Sequence, residues 1–110
     1  MDGSILVVDD EKSQRDILEA ILTREGYKTV TVPGGVEALQ KLEQNEYDLI
    51  LTDLKMQGMS GMELLDTILD QNPQQSIIMM TAHGSVDSAV EAMEKGALSY
   101  LEKPLDRDKL

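Results

Sequence analysis

The side chains of this sequence that could do chemistry each follow a short apolar run typical of a buried strand. They are two neighbouring carboxylates, a third carboxylate, a hydroxyl and an ammonium group: Asp9, Asp10, Asp53, Thr81 and Lys103. If the runs form parallel strands, their carboxyl ends meet at one edge of one sheet, and these side chains share a crevice. Such a set is suited to holding a divalent cation and a phosphoryl group.

The carboxylates predict a metal site. Adjacent strands lie about 4.8 Å apart, so Asp10 and Asp53 come within reach of one ion. Like charges about 5 Å apart repel by roughly 3 kcal/mol at an effective dielectric constant near 20, and a bound cation or a retained proton relieves that repulsion. Because every ligand is a hard oxygen, the pattern favours Mg²⁺, or Mn²⁺ in its place, over zinc.

The same residues suit in-line phosphoryl transfer. Asp53 is the expected nucleophile, and the metal with Lys103 neutralises charge on the transferred group. Thr81 is expected to donate a hydrogen bond from the strand between them. The sequence places no obvious base for a second substrate.

Strand-like and helix-like segments alternate along the chain, which predicts an α/β fold with helices on both faces of a parallel sheet. Three strand segments are continuously apolar and belong in the centre, whereas segments 28–32 and 99–102 carry polar residues and belong at the edges. The order 2-1-3-4-5 satisfies this pattern and predicts a doubly wound, flavodoxin-like sheet of five strands.

Helices are expected at about 12–25 and 36–45, then from a capping box at Ser60 and Glu63 to before Pro73, and lastly up to Gly96. Each helix has an apolar stripe at helical spacing. In the fourth helix the stripe consists of Val86, Ala89, Val90 and Met93.

Composition sets the outer bounds. The 110 residues predict one domain over 1–110, and the net charge of −11 argues against direct binding of nucleic acid. The sequence has no cysteine and no apolar run long enough for a membrane span, so a cytoplasmic protein is expected. Only 105–110 follows the fifth strand, and we expect a C-terminally truncated domain that lacks its last helix.

Four motifs resemble the receiver domain of bacterial two-component response regulators, a CheY-like fold. They are Val-Val-Asp-Asp-Glu (7–11), Leu-Thr-Asp-Leu (51–54), Met-Thr-Ala-His (80–83) and Tyr-Leu-Glu-Lys-Pro (100–104). The resemblance implies that Asp53 accepts a phosphoryl group from a sensor histidine kinase. It implies Mg²⁺ bound directly by Asp10, Asp53 and the backbone carbonyl of Lys55, and by Asp9 through water.

The resemblance further implies that Thr81 and Tyr100 form a switch pair and that Lys103 contacts the phosphate. Such a domain promotes only its own phosphorylation and dephosphorylation and is not otherwise an enzyme. Segment 81–96 is most similar to receivers attached to sigma-54-dependent (NtrC-like) AAA+ transcription activators. That likeness implies an attached output domain, a DNA-binding domain and a homodimer on phosphorylation, and we expect this shorter chain to accept the phosphoryl group but dimerise poorly.

One position departs from the family pattern, and two others lie beside the expected phosphorylation site. Gln57 stands where the family usually has proline, which predicts a looser loop after Asp53. Lys55 and His83 flank the expected path of attacking water.

Two other functions share parts of the pattern. An aspartate-nucleophile phosphatase would use the same nucleophile, but it typically has a second acid where this chain has Lys55. A flavodoxin-like binding module without phosphorylation would use the same sheet edge, but the chain has no Ser/Thr/Gly-rich loop after the first strand.

Overall fold

The computed structural model describes residues 3–81 and 86–102, which form a five-stranded parallel sheet with flanking helices. The strands are β1 (Ser4–Val8), β2 (Lys28–Val32), β3 (Leu49–Asp53), β4 (Ile77–Thr81) and β5 (Ser99–Glu102). The helices are α1 (Lys12–Arg24), α2 (Gly35–Gln44), α3 (Gly61–Gln71) and α4 (Val86–Lys95). The order β2-β1-β3-β4-β5 confirms the predicted topology and the two edge strands.

Burial explains this order. β1 and β3 pair with each other in the centre, and nearly all their residues are buried, as expected of strands covered on both faces. The edge strands β2 and β5 are mostly half-buried. β3 and β4 each run one residue further than the apolar runs indicate, so Asp53 and Thr81 are the last residues of their strands.

Two cores lie on opposite faces of the sheet because side chains alternate along each strand. One face carries α2, α3 and α4, whose apolar residues pack on Leu6, Ile50 and Met79. On the other face, Leu18 and Leu22 of α1 pack on alternate residues of the same strands. Within residues 3–81 and 86–102, α1 is the only helix that covers this second face. The predicted truncation concerns segment 103–110, which lies outside the described residues.

The capping box of α3 is present as predicted. The Ser60 hydroxyl accepts from the Glu63 N–H at 3.2 Å, and the Glu63 carboxylate accepts from the Ser60 N–H at 3.2 Å. This cap starts α3 directly after the loop that follows Asp53.

The apolar stripe of α4 does not face the core. Val86 is 79% exposed, Val90 49% and Met93 47%, whereas the buried residue of this helix is Ala92. α4 therefore contacts the core through the small Ala92, and its larger apolar residues lie outside that contact. Ile17 of α1 and Val36 of α2 are likewise exposed, although their spacing predicts an inner face.

No helix among residues 3–81 and 86–102 has the length and apolar character needed to cross a membrane.

Candidate functional site

Three carboxylates meet at the carboxyl edge of the sheet. Asp9 and Asp10 follow β1, and Asp53 ends the neighbouring strand β3. One carboxylate oxygen from each residue lies within 4.8 Å of those from the other two. Asp9 is fully buried and Asp53 is 6% exposed, whereas Asp10 is exposed. The predicted acidic cluster is therefore assembled, with two members inside the crevice and one at its rim.

Asp9 is held by backbone and side-chain hydrogen bonds. Its N–H donates to the Val32 carbonyl at the end of β2 at 3.1 Å, and its carboxylate accepts from the Glu11 N–H at 3.0 Å. Its own carbonyl accepts from Arg15 Nη1 at 2.7 Å. The N-cap of α1 is Glu11, which makes no side-chain cap, so Asp9 does not serve as the N-cap residue of this helix.

The loop after β3 approaches the other two carboxylates with backbone N–H groups. The Lys55 N–H donates to Asp53 Oδ1 and the Gln57 N–H to Asp10 Oδ2, each at a long 3.4 Å. With the Glu11 N–H on Asp9, every carboxylate of the cluster thus accepts from at least one backbone N–H. These dipoles offset part of the repulsion between the three acids.

Gly61 sets the distance between α3 and Asp53. Its N–H donates to the Leu54 carbonyl at 2.9 Å. A Cβ atom at this position would collide with the Asp53 carbonyl oxygen and lie 2.8 Å from Leu54 Cα. Because both obstacles are backbone, no rotamer change can make room. The first residue of α3 therefore has to be glycine for β3 and the turn after Asp53 to lie where they do.

The donor set fits a hard divalent cation. The three side chains offer carboxylate oxygens alone, and the chain has no cysteine. Its one histidine, His83, lies outside the described residues. Mg²⁺ and Mn²⁺ prefer oxygen ligands of this kind. A bound divalent cation would also relieve the repulsion between three carboxylates within 4.8 Å of one another.

Thr81 and Tyr100 lie on the two strands beyond Asp53. Thr81 ends β4 and is 1% exposed, and in the sheet β4 lies between β3 and β5. Tyr100 of β5 pairs with Met79 of β4, and the Tyr100 hydroxyl forms a hydrogen bond with Ser88 Oγ of α4 at 2.8 Å. Lys103 lies outside the described residues, so its predicted position at this edge stays a prediction.

Three residues that the sequence patterns do not predict contact the site or the proposed switch. Arg15 lies on α1, Gly61 begins α3 and Ser88 lies on α4. Arg15 had a weak signal, since a basic residue near the start of a helix is unfavourable for the helix dipole and so invites another explanation. Ser88 had none, because it lies next to the apolar stripe of its helix.

The comparisons with known proteins agree with this geometry. A family model described as the response regulator receiver domain matches residues 5–110. The transcriptional regulatory protein ZraR of Klebsiella oxytoca is 48% identical over 106 residues, which are 96% of this chain and 24% of that protein. The DNA-binding transcriptional regulator NtrC of Escherichia coli is 42% identical over 96% of this chain and 23% of its own length.

A solved structure has the same fold. The chemotaxis protein CheY4 of Vibrio cholerae superposes with a TM-score of 0.93 at 30% identity, covering 99% of this chain and 92% of that one. The present chain thus spans nearly all of CheY4 but about a quarter of ZraR and NtrC.

Proposed function

The chain belongs to the response regulator receiver domain family, and on that premise we propose that it is a phospho-accepting signalling domain in which Asp53 receives a phosphoryl group from a sensor histidine kinase. The observation that carries this proposal is the position of Asp53. Asp53 is 6% exposed and ends the central strand β3, and one of its carboxylate oxygens lies within 4.8 Å of those of two further acids. Family membership favours this function over a phosphatase or a flavin-binding module.

The acidic cluster would hold Mg²⁺, or Mn²⁺ in its place. Asp10, Asp53 and the backbone carbonyl of Lys55 would ligate it directly, and Asp9 would act through water. When bound, the ion supplies positive charge that offsets the charge of the phosphoryl oxygens. The buried Asp9 places a third carboxylate beneath the site, and this favours the binding of a cation there.

Asp53 is the nucleophile of the transfer. One carboxylate oxygen forms a bond to phosphorus as the bond between phosphorus and the donor's histidine nitrogen breaks, and the imidazole leaves with that electron pair. A carboxylate nucleophile has no proton to lose, so this step needs no general base. The low exposure of Asp53 limits the access of water to the acyl phosphate.

Thr81 and Lys103 would contact the transferred group. The Thr81 hydroxyl, which is buried at the end of the neighbouring strand, would donate to a phosphoryl oxygen. Lys103 would place its ammonium beside another of those oxygens. Both roles stay predictions, and both rest on these side chains following strands at the same sheet edge.

Phosphorylation would shift the domain between two states. The added group carries a charge of about −2 with strong acceptor oxygens, and a hydrogen bond to a charged group contributes roughly 1.5–3 kcal/mol. That energy shifts a population strongly only when the two states already lie close together. Thr81 would move toward the phosphoryl group, and Tyr100 would turn into the space it leaves. Because Tyr100 is bonded to Ser88, that rotation has to break this bond or move α4 with it.

The output is proposed to be control of transcription. The relatives ZraR and NtrC are named as transcriptional regulators, and each is about four times as long as the matched segment. An output domain attached to this receiver, of the sigma-54-dependent AAA+ class with a DNA-binding domain, would read the altered surface around α4 and β5. A homodimer formed on phosphorylation would be part of that response.

Intact-mass measurement tests the chemistry. The chain is incubated with acetyl phosphate and Mg²⁺, and the expected result is one added phosphoryl group that hydroxylamine removes. Asp53→Asn should gain none, and a sample with EDTA should gain little. Asp70→Asn, which removes an exposed carboxylate from α3, is the matched control and should be labelled as the unaltered chain is.

Labelling of Asp53→Asn to the same extent would overturn Asp53 as acceptor. Labelling that persists undiminished in EDTA would overturn the metal requirement while leaving Asp53 in place. Turnover of an added phosphomonoester by the unaltered chain would instead favour the phosphatase alternative.

A further inference from the structure

Arg15 makes an unusual contact for a cation in so acidic a chain. The sequence has 21 acidic residues, yet within residues 3–81 and 86–102 the ion pairs are Lys12–Asp16 and Lys95–Asp66, and neither includes Arg15. Its guanidinium instead donates from Nη1 to the backbone carbonyl of Asp9 at 2.7 Å. The side chain is half-buried, so this bond is partly shielded from water.

That carbonyl belongs to the peptide unit that joins the two carboxylates of the β1–α1 turn. Since a peptide unit is planar, holding the carbonyl oxygen of Asp9 also orients the N–H and the Cα of Asp10. The N–H of Asp9 is already bonded to Val32 and its carboxylate to Glu11. Arg15 therefore completes the fixation of Asp9 and sets the direction in which the chain enters Asp10.

Asp10 is the member of the cluster that most needs such support. It is exposed, and the contact described for its carboxylate is the 3.4 Å approach of the Gln57 N–H. An exposed carboxylate held by one long hydrogen bond is free to turn toward solvent. Its place within 4.8 Å of Asp9 and Asp53 then depends mainly on the backbone that carries it.

From these contacts we propose that Arg15 is a positioning residue for the metal site: its bond to the Asp9 carbonyl holds Asp10 in the ligating arrangement. This inference rests on the proposed function, because it assumes that the cluster binds a divalent cation. Arg15 acts through the turn and does not touch the ion. Groups that orient the ligands of a metal typically change its affinity by about tenfold or more when they are removed.

The sign of the effect separates positioning from charge. Arg15 is itself a cation near the site, so its removal would strengthen Mg²⁺ binding if electrostatic repulsion were its only influence. A positioning role predicts the opposite, which is weaker binding on loss of the hydrogen bond. A residue that only supports the fold of α1 would change stability and leave the affinity for the ion unaltered.

The test is calorimetric titration of the whole chain with MgCl₂ in the absence of any phosphodonor. Arg15→Met keeps the apolar stem and removes the charge and the donor, and it should bind Mg²⁺ about tenfold more weakly than the unaltered chain. Arg15→Lys keeps a donor of similar reach and should recover most of the affinity. Arg24→Met, on the exposed last turn of the same helix about 13 Å along its axis, should bind within about twofold of the unaltered chain.

Each outcome decides the proposal. Unchanged or tighter binding by Arg15→Met, in a variant whose circular dichroism spectrum is native, would overturn it. If Arg15→Met fails to fold, Arg15→Lys decides: affinity near that of the unaltered chain supports the donor role, and a loss equal to that of Asp10→Asn contradicts it. Absence of Mg²⁺ binding by the unaltered chain would refute the metal site itself, which is a failure of the proposed function and separate from a failure of Arg15.

Discussion

The hydroxyl of Tyr100 lies 2.8 Å from Ser88 Oγ, and this hydrogen bond joins β5 to the first turn of α4. Tyr100 is the proposed switch tyrosine, and Ser88 lies two residues into the helix that would present the altered surface. The pair therefore connects the predicted switch to the helix whose apolar stripe faces solvent. Whatever moves Tyr100 has to act against this bond.

We expect Ser88→Ala and Tyr100→Phe each to lower the free energy of unfolding by about 1 kcal/mol, because each removes one partner of a part-buried hydrogen bond. The double variant should lose little more than either single one. Urea unfolding of the unaltered chain, the two single variants and the double variant, followed by circular dichroism, measures these free energies. Strictly additive losses would show that the two hydroxyls do not interact in solution.

Gly61→Ala should lower the free energy of unfolding by about 1–3 kcal/mol and weaken Mg²⁺ binding, because the added Cβ displaces the backbone of Asp53. Gly34→Ala is the matched control. The nearest obstacle there is Glu37 Oε1 at 3.0 Å, the end of a flexible side chain. Gly34→Ala should lower the free energy of unfolding by less than about 1 kcal/mol and leave Mg²⁺ binding unchanged. Equal effects of the two substitutions would contradict the close approach of α3 to Asp53.

Asp10→Asn should stabilise the metal-free protein by about 1 kcal/mol, because it removes one of three neighbouring negative charges at an exposed position. The same variant should lose the rise in melting temperature that Mg²⁺ gives the unaltered chain. Thermal unfolding in EDTA and in MgCl₂ measures both effects. Glu46→Gln removes an exposed charge from a loop that precedes β3 and should show neither. A less stable metal-free Asp10→Asn protein would argue against repulsion within the cluster.

The α4 stripe should tolerate polar substitution. Val86 is 79% exposed, so Val86→Ser should change the free energy of unfolding by no more than about 0.5 kcal/mol. Leu64→Ala, at a fully buried position of α3, should cost about 2–5 kcal/mol. Chemical denaturation of both variants checks the orientation of the helix. A large loss for Val86→Ser would mean that the stripe packs inward in solution.

The Lys95–Asp66 ion pair between α4 and α3 predicts a pH dependence. The hydrogen bond from Lys95 Nζ to Asp66, 3.0 Å at its shorter contact, raises the pKa of the lysine above its ordinary value of 10.5. Since the folded-state pKa is raised, the stabilisation is complete below pH 10.5 and is lost as the pH rises through the higher folded value. Urea midpoints from pH 7 to 11.5 should therefore fall more for the unaltered chain than for Asp66→Asn. Parallel curves would show that the pair contributes nothing.

Sequence patterns alone predict the sheet and its acidic edge. Continuous apolar runs mark β1, β3 and β4 as central strands, and polar residues in β2 and β5 mark the edges. Once the strands are parallel and ordered, residues that end neighbouring strands have to meet, and this brings Asp9, Asp10 and Asp53 together. The four motifs indicate the receiver domain family, whose model matches residues 5–110.

The contacts between the elements depend on how the helices and strands pack in three dimensions. Helical spacing predicts that α4 has an apolar stripe, but the stripe is turned outward because the small Ala92 makes the contact with the core. The Ser88–Tyr100 bond and the approach of Gly61 to Asp53 join residues that are separated along the chain. Periodicity reports which face of an element is apolar. Contacts that depend on a backbone carbonyl, a missing Cβ or a helix rotation are settled by packing, where local sequence patterns carry no signal.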